Sequence, residues 1–582
     1  MRPESLGSLC RRSLAALSLI LLAGCALVAT ARELPGSPPG AAVASAHPLA
    51  TAAGREVLDA GGNAFDAAIA VAAALAVVEP YSSGIGGGGF FLLHRASDGL
   101  QTMVDAREFA PGAASADMYL DAQGTVVPGR SMNGALAAAI PGLPAGLVHL
   151  AAGYGALPLS VSLAPAVKLA RDGFEVTEHY QRMAGFRAGA MRENPETARI
   201  FLLDGEAPPL GHRIRQPDLA ATLARLGAHG SAGFYAGGLA ERLVAGVRAG
   251  GGLWTLEDLA RYRVVEREPV TGSYRGIRIV SAPPPSSGGT VLIEALNMLE
   301  GFELAPLDPV GRAHLTIEAM RRAYRDRAEY LGDPDFTPVP VAQLTSKDHA
   351  RAIAADLSPV RATPSSALKP IAPPPQGDDT THFSLIDAAG NRVAATLSVN
   401  FPFGCAFTPP GTGVLLNNEM DDFSSKALTP NGYGLVGVEA NAIAPYKRPL
   451  SSMTPTFLET PERIGILGTP GGSRIISMVL LGALSFADGA VPAEWVATPR
   501  YHHQYLPDEV LYEPKAFDDA ARAALAARGH SLRLSNRDYG NMHAVLWTRT
   551  DGTLSAASDP RGEGEALVWQ PASAPAARGT GQ

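Results

Sequence analysis

"QGDDTTHFSLIDAAGNRVAATLSVN", residues 376–400, decides how this chain is read. It follows "SSALKPIAPPP" (365–375), a proline-rich stretch with no hydrophobic period, which reads as a tether. What comes next has the pattern of a β-hairpin, with "DAAGN" (387–391) supplying the turn chemistry. If those five residues form the loop, Ile386 faces Arg392, and counting back along both strands sets Thr380 opposite Ser398. Directly opposed residues share a face. One face then carries Thr381, Phe383, Leu385, Val393, Ala395, Leu397 and Val399. The other carries Thr380, His382, Ser384, Thr396, Ser398 and Asn400. A slip of one residue would exchange the two sets.

A linker running into a strand is one reading of this segment. Self-cleavage before Thr380 is the other. A threonine hydroxyl inside a chain is a weak nucleophile, but at a free N-terminus its own α-amine, with a pKa near ~8, can act as general base. Breaking the Asp379–Thr380 bond would create that arrangement, and a loose preceding segment would let the new end move away.

The remainder of the chain sets the frame. It has 582 residues, 46% hydrophobic and 18% charged, which fits a large compact body. The net charge of −8 is spread along the chain and excludes nucleic acid as the expected partner. The most basic stretch, "RRAYRDR" (321–327), lies in a helical pattern and reads as a solvated helix face. Arg11 and Arg12 precede the short apolar run "LAALSLILLAG", the layout of an export signal. It ends in "LLAGC", which resembles a bacterial lipobox: cleavage would leave Cys25 lipidated at the mature N-terminus. Ordinary signal cleavage after Ala31 is the alternative. With Cys10 lost and Cys25 lipidated, Cys405 alone remains and no internal disulfide can form.

Residues 25–46, rich in Pro, Gly and Ala, read as a flexible tether. "LATAAGREVLDAGG" reads as a helix stopped by glycines, and Asn63 as the cap of an apolar, buried helix over "AFDAAIAVAAALAVVEP". "SSGIGGGGFFLLH" places glycines before a strand, the wrong order for a phosphate loop, and marks a close backbone approach. "YHHQY" (501–505) lacks metal-ligand spacing, and no metal or other cofactor is expected.

Motifs along the chain carry a resemblance. "GGNAFDAAIA", "GGGGF", "DAREFAP", "PPPSSGG", "AYRDRAEYLGDPDF", "DTTHFS", "LLNNEMDDFS", "NGYGLVG", "NAIAPYKRPLSSMTPT", "GTPGGSRI", "PRYHHQYLPDE" and "SDPR" occur in this order. The sequence resembles the γ-glutamyltransferases, which are N-terminal-nucleophile hydrolases, from about residue 47 to 570. The resemblance implies an α+β fold, an αββα sandwich built from a large chain (47–379) and a small catalytic chain (380–582) of one precursor that stay together as a heterodimer. It implies Thr380 as nucleophile, Ser398 as the hydroxyl bonded to it, and Gly471 and Gly472 as the oxyanion hole. Arg107, Ser451 and Ser452 would bind the donor's α-carboxylate. Asn400, Glu419 and Asp422 would hold its ammonium, and Tyr433 would belong to a lid. The implied partners are glutathione or another γ-glutamyl compound as donor, and water, an amino acid or a peptide as acceptor. Two other readings stand beside this one: a related amidase acting on a β-lactam side chain or poly-γ-glutamate, and an inactive lipid-anchored binding protein. The expected location is the periplasmic face, with the anchor in the outer membrane.

Overall fold

The computed structural model describes residues 36–368, 380–424 and 439–571. From Ser37 onward they form one body. Two antiparallel sheets lie at its centre. The first has seven strands in the order Glu565–Trp569, Ala41–Ser45, Thr381–Ile386, Arg392–Ser398, Gly88–Arg95, Leu100–Ala106 and Val265–Arg267. The second has six, in the order Thr553–Ser558, His543–Thr548, Arg463–Gly468, Thr456–Glu459, Ile277–Ser281 and Val270–Tyr274.

Alternation along the strands explains the layering. Val43, Phe91, Leu93, Phe383, Leu385, Val393, Ala395 and Leu397 join a core with the helices Pro48–Asp59 and Ala64–Val78. Their neighbours Ala42, Ala44, Phe90, Leu92, Ile386 and Ala394 point the other way. They meet Val280, Phe457, Ile466 and Val545 of the second sheet. The outer face of that sheet packs on the helices Gly288–Glu300, Pro309–Tyr330 and Ile475–Ala487. The result is the four-layer αββα sandwich that the resemblance implies.

The hairpin register is as the sequence predicts. Arg392 pairs with Ile386 and Leu397 with Thr381, which sets Thr380 beside Ser398. Asn63 caps the Ala64–Val78 helix through a reciprocal capping box with Asp66, and every residue of that helix is buried. The glycine run also behaves as expected: a Cβ on Gly87 would sit 2.1 Å from the Ser398 carbonyl oxygen. Only a bare backbone brings this segment against the end of the Thr381–Ser398 hairpin.

Three sequence expectations need correction. The tether read from residue 365 does not hold at its N-terminal end: Ser365 is buried, and its hydroxyl donates to the Tyr505 carbonyl while accepting from Arg321. The tether assigned to 25–46 does not hold at its C-terminal end. Ala41–Ser45 is a fully buried strand hydrogen-bonded between Thr381–Ile386 and Glu565–Trp569. Its small side chains resemble linker composition, yet a strand covered on both faces needs no polar alternation. The "RRAYRDR" segment is not a solvated face either. Arg321, Arg322, Asp326 and Arg327 are each at most 3% exposed. Glu318 pairs with both Arg321 and Arg322, and Arg321 reaches Asp508. Such charges are tolerated inside only because each has a partner. Cys25, Asp379 and Tyr433 lie outside the described residues.

Candidate active site

The end of the Thr381–Ser398 hairpin sits over a solvent-open pocket. Thr380, Ser398, Asn400, Arg107, Glu419, Asp422, Ser451, Ser452 and Gly472 all line it. These nine residues come from five separated parts of the sequence, and the fold brings them together. Gly471 lies in the wall of a second, larger pocket open to solvent, which Thr380 also lines.

At the centre, Thr380 Oγ1 lies 3.4 Å from Ser398 Oγ. Ser398 Oγ accepts the Asn400 backbone N–H at 2.7 Å, and either hydroxyl of the Thr380–Ser398 pair can donate to the other. Asn400 adopts φ +74°, a left-handed turn that asparagine tolerates better than most residues. Its side-chain amide donates to the Asn418 carbonyl at 2.9 Å, which holds the side chain at the cavity wall. Gly471 and Gly472 both have positive φ, 140° and 54°. The φ of Gly471 lies in a region that L side chains rarely adopt, so this turn is shaped for glycine.

Arg107 forms the charged end of the cavity and is 1% exposed. Its Nη1 donates to Glu419 at 2.5 Å, its Nη2 to Asp422, and its Nε to the Pro449 carbonyl at 3.3 Å. A guanidinium has five N–H groups, and the described residues engage three of them. Burial opposes the charge on Arg107, but Glu419, Asp422 and Glu108 outweigh it and hold the group firmly protonated. Burial raises Glu419 and Asp422 above the usual carboxylate range against the pull of Arg107, and pushes Glu108 up to about 8. Among the described residues, the second oxygen of Glu419 is buried with no hydrogen-bond partner. The sequence divides these residues into a carboxylate-binding arginine and an ammonium-binding acid pair. The structure makes them one ion-paired cluster, which presents donors and acceptors side by side.

Three further residues belong to this neighbourhood and escape sequence reasoning. Arg327 donates to Ser452 Oγ at 3.1 Å and to Ser287 Oγ at 2.9 Å. Burial lowers it only to about 10, so it stays cationic at neutral pH behind the serine pair. Ser452 accepts from Arg327, and Ser451 Oγ accepts from the Met453 amide, which leaves both serine hydrogens to donate. Glu108 flanks Arg107 at 3.9 Å. Glu79 accepts a hydrogen bond from Thr381 Oγ1 at 2.7 Å and lines the second cavity with Thr380. The charge cluster of 321–327 was the signal for Arg327, but its partners lie far away in sequence. The histidines of "YHHQY" are buried and hydrogen-bonded, His502 to Ser477 and Gln504, His503 to Asp508.

Glu79 carries a pH signature. Burial raises its carboxyl from 4.5 to about 7. Between those values the unfolded chain releases the proton while the folded chain keeps it. The contribution of this group to stability is therefore full below the ordinary value and is lost as pH rises through the folded one. Wild type is expected to lose urea resistance between about pH 5 and about pH 8 more steeply than Glu79→Gln, a difference read from the unfolding midpoints.

Comparison with known proteins places this geometry. The family described as Gamma-glutamyltranspeptidase matches residues 50–569. A glutathione hydrolase proenzyme of Pseudomonas sp. (strain A14) is 44% identical over 515 residues, 87% of this chain and 89% of that protein. The glutathione hydrolase proenzyme of Escherichia coli (strain K12) is 42% identical over 525 residues, 89% of this chain and 90% of its own length. Among solved structures, the cephalosporin acylase from Bacillus halodurans superposes with a TM-score of 0.81 at 31% identity, covering 94% of this chain and 98% of that one.

Proposed function

The chain belongs to the gamma-glutamyltranspeptidase family, and from that premise we propose a residue-by-residue account of a self-cleaving γ-glutamyltransferase and glutathione hydrolase. The observation that carries it is the convergence of the Thr380–Ser398 pair, the Arg107–Glu419–Asp422 cluster and the two serines on one cavity. Cleavage of the Asp379–Thr380 bond frees the Thr380 amine. That amine takes the hydroxyl proton as Oγ1 attacks the γ-carbonyl of the donor. Ser398 holds Oγ1 in line, and the Gly471 and Gly472 amides receive the oxyanion. The amine of the leaving group takes the proton, and a threonyl ester of the γ-glutamyl group remains. Water or an acceptor amine then attacks the ester, and Oγ1 regains its proton. The second cavity gives the departing and incoming amines their space.

Arg107, Ser451 and Ser452, with Arg327 behind them, bind the α-carboxylate. Glu419 and Asp422, with Asn400, bind the α-ammonium. This acid pair favours a γ-glutamyl donor over a glutaryl one, which lacks only the ammonium. The structural kinship to a cephalosporin acylase makes an amidase acting on a β-lactam side chain the competing reading. Side-by-side turnover of a γ-glutamyl anilide and a glutaryl anilide tests the choice. The γ-glutamyl compound is expected to react faster; preference for the glutaryl compound contradicts it.

Ser398→Ala is expected to slow both self-cleavage and turnover by about tenfold, the worth of one hydrogen bond of ~1–1.5 kcal/mol. Ser398→Thr should match or exceed wild type, because the added methyl restricts the hydroxyl's rotamer. Rates of precursor conversion on a denaturing gel, together with kcat, check both variants.

Export also belongs to the proposal. The N-terminal signal ends in a lipobox at Cys25, and among the described residues no helix is long and apolar enough to cross a membrane. A lipid on Cys25 would hold the enzyme at the periplasmic face, with the outer membrane as the site of the anchor. Cys25→Ala should abolish labelling by a fatty-acid analogue and release the protein from the membrane fraction; unchanged labelling would remove Cys25 from the account.

A further inference from the structure

Three helices that cover the six-stranded sheet bring Glu294, Asp326 and His349 to one point. They belong to Gly288–Glu300, Pro309–Tyr330 and Lys347–Ile353. The ligand atoms of the three side chains all lie within 4.8 Å of one another. His349 Nε2 is 2.7 Å from Asp326 Oδ2 and 3.7 Å from Glu294 Oε1. A second observation concerns Glu294 alone. It is completely buried, and among the described residues no hydrogen-bond donor reaches either of its carboxylate oxygens. Buried carboxylates in folded proteins are nearly always satisfied by a donor or a cation, and this one points at another acid.

We propose that Glu294, Asp326 and His349 bind a divalent cation, with Zn²⁺ the best chemical match, and that the ion ties the three helices together. One imidazole nitrogen and two carboxylate oxygens form a ligand set that zinc accepts. Calcium needs six to eight oxygens, which this cluster does not supply. In a tetrahedral zinc site, bonds of about 2.0–2.1 Å set the ligand atoms ~3.3 Å apart. The His349–Asp326 separation of 2.7 Å has to open and the His349–Glu294 separation of 3.7 Å to close, each by roughly half an ångström, with Glu294 and Asp326 drawn in from within 4.8 Å. Arg325 donates to the other oxygen of Asp326, Oδ1, at 2.5 Å, which orients that carboxylate from outside. The His349 side chain is 14% exposed and gives the ion a route from solvent. None of the three residues lines either cavity at Thr380, so the ion stabilises the layer and takes no part in turnover.

The test uses the processed enzyme, free of any affinity tag and stripped with a chelator. Zn²⁺ is titrated by calorimetry, and thermal unfolding is followed in parallel. Wild type is expected to bind one equivalent saturably and to unfold at a higher temperature with the metal. Glu294→Gln removes a charge without changing shape, and His349→Ala alters a partly exposed side chain that does not support the core. Each is expected to weaken binding by at least about tenfold, while γ-glutamyl anilide hydrolysis by the stripped enzyme stays at the wild-type level. Absence of saturable Zn²⁺ binding by wild type overturns the proposal, as does binding that neither variant diminishes. A Glu294→Gln protein more heat-resistant than a zinc-insensitive wild type would also overturn it, since a proton shared by the two acids would then be what holds the cluster.

Discussion

Thr380→Ala is expected to accumulate as one uncut chain and to lose turnover by at least about 10³-fold. Two functions vanish together. The hydroxyl that attacks the preceding carbonyl is gone, so the Asp379–Thr380 bond survives. The nucleophile for the γ-glutamyl carbonyl is gone as well, and the amine that would have served as its base remains tied up in a peptide bond. The fold should be unaffected, because the hairpin is held by the register from Leu397–Thr381 to Arg392–Ile386 and by the cores on its two faces. Thr380→Ser keeps hydroxyl and amine, loses only the methyl, and should mature and turn over within roughly tenfold of wild type. Circular dichroism and a denaturing gel separate a folded, uncut protein from a misfolded one. A Thr380→Ala protein that cuts itself normally and keeps full activity would contradict the nucleophile assignment.

The second large effect falls on Arg107. Arg107→Met leaves Glu419 and Asp422 buried without their counter-ion. Removing one partner from such a cluster costs ~3–5 kcal/mol of stability, and donor kcat/KM should fall by about 10³-fold once the carboxylate loses its charged donors. Arg107→Lys separates the two effects. It keeps the charge among the three carboxylates and so most of the stability, but a lysine cannot bond Glu419, Asp422, the Pro449 carbonyl and a ligand in one planar fork. The expected result is near-normal thermal unfolding with KM raised strongly for both γ-glutamyl and glutaryl anilides, because both carry the carboxylate. Glu419→Gln should instead penalise the γ-glutamyl compound selectively. If Arg107→Lys left both KM values unchanged, the carboxylate would have to bind elsewhere.

How much of this the sequence disclosed depends on how local each feature is. The hairpin was legible because a five-residue turn fixes a register, and the register alone pairs Thr380 with Ser398. The capped helix after Asn63 and the close approach at Gly87 are local in the same sense. The membership of Arg107, Ser451 and Glu419 in one site was legible only through family resemblance, since their contacts span hundreds of residues. Ala41–Ser45 was misread because five small residues look alike in a linker and in a strand buried on both faces; its partners, Thr381–Ile386 and Glu565–Trp569, decide the matter and lie far downstream. Arg327 was misread for the converse reason. A charged heptad suggests solvent, while Ser287 and Ser452, which hold it inside, are distant in sequence. Glu294, Asp326 and His349 share no short spacing, so only the packing of three helices brings them together.

The most direct measurement is the N-terminal sequence of the smaller chain in purified, active protein. The account predicts Thr-Thr-His-Phe-Ser, beginning at Thr380, with no other start above background. A smaller chain beginning at Thr381, or full activity from a chain that has never been cut, would contradict it.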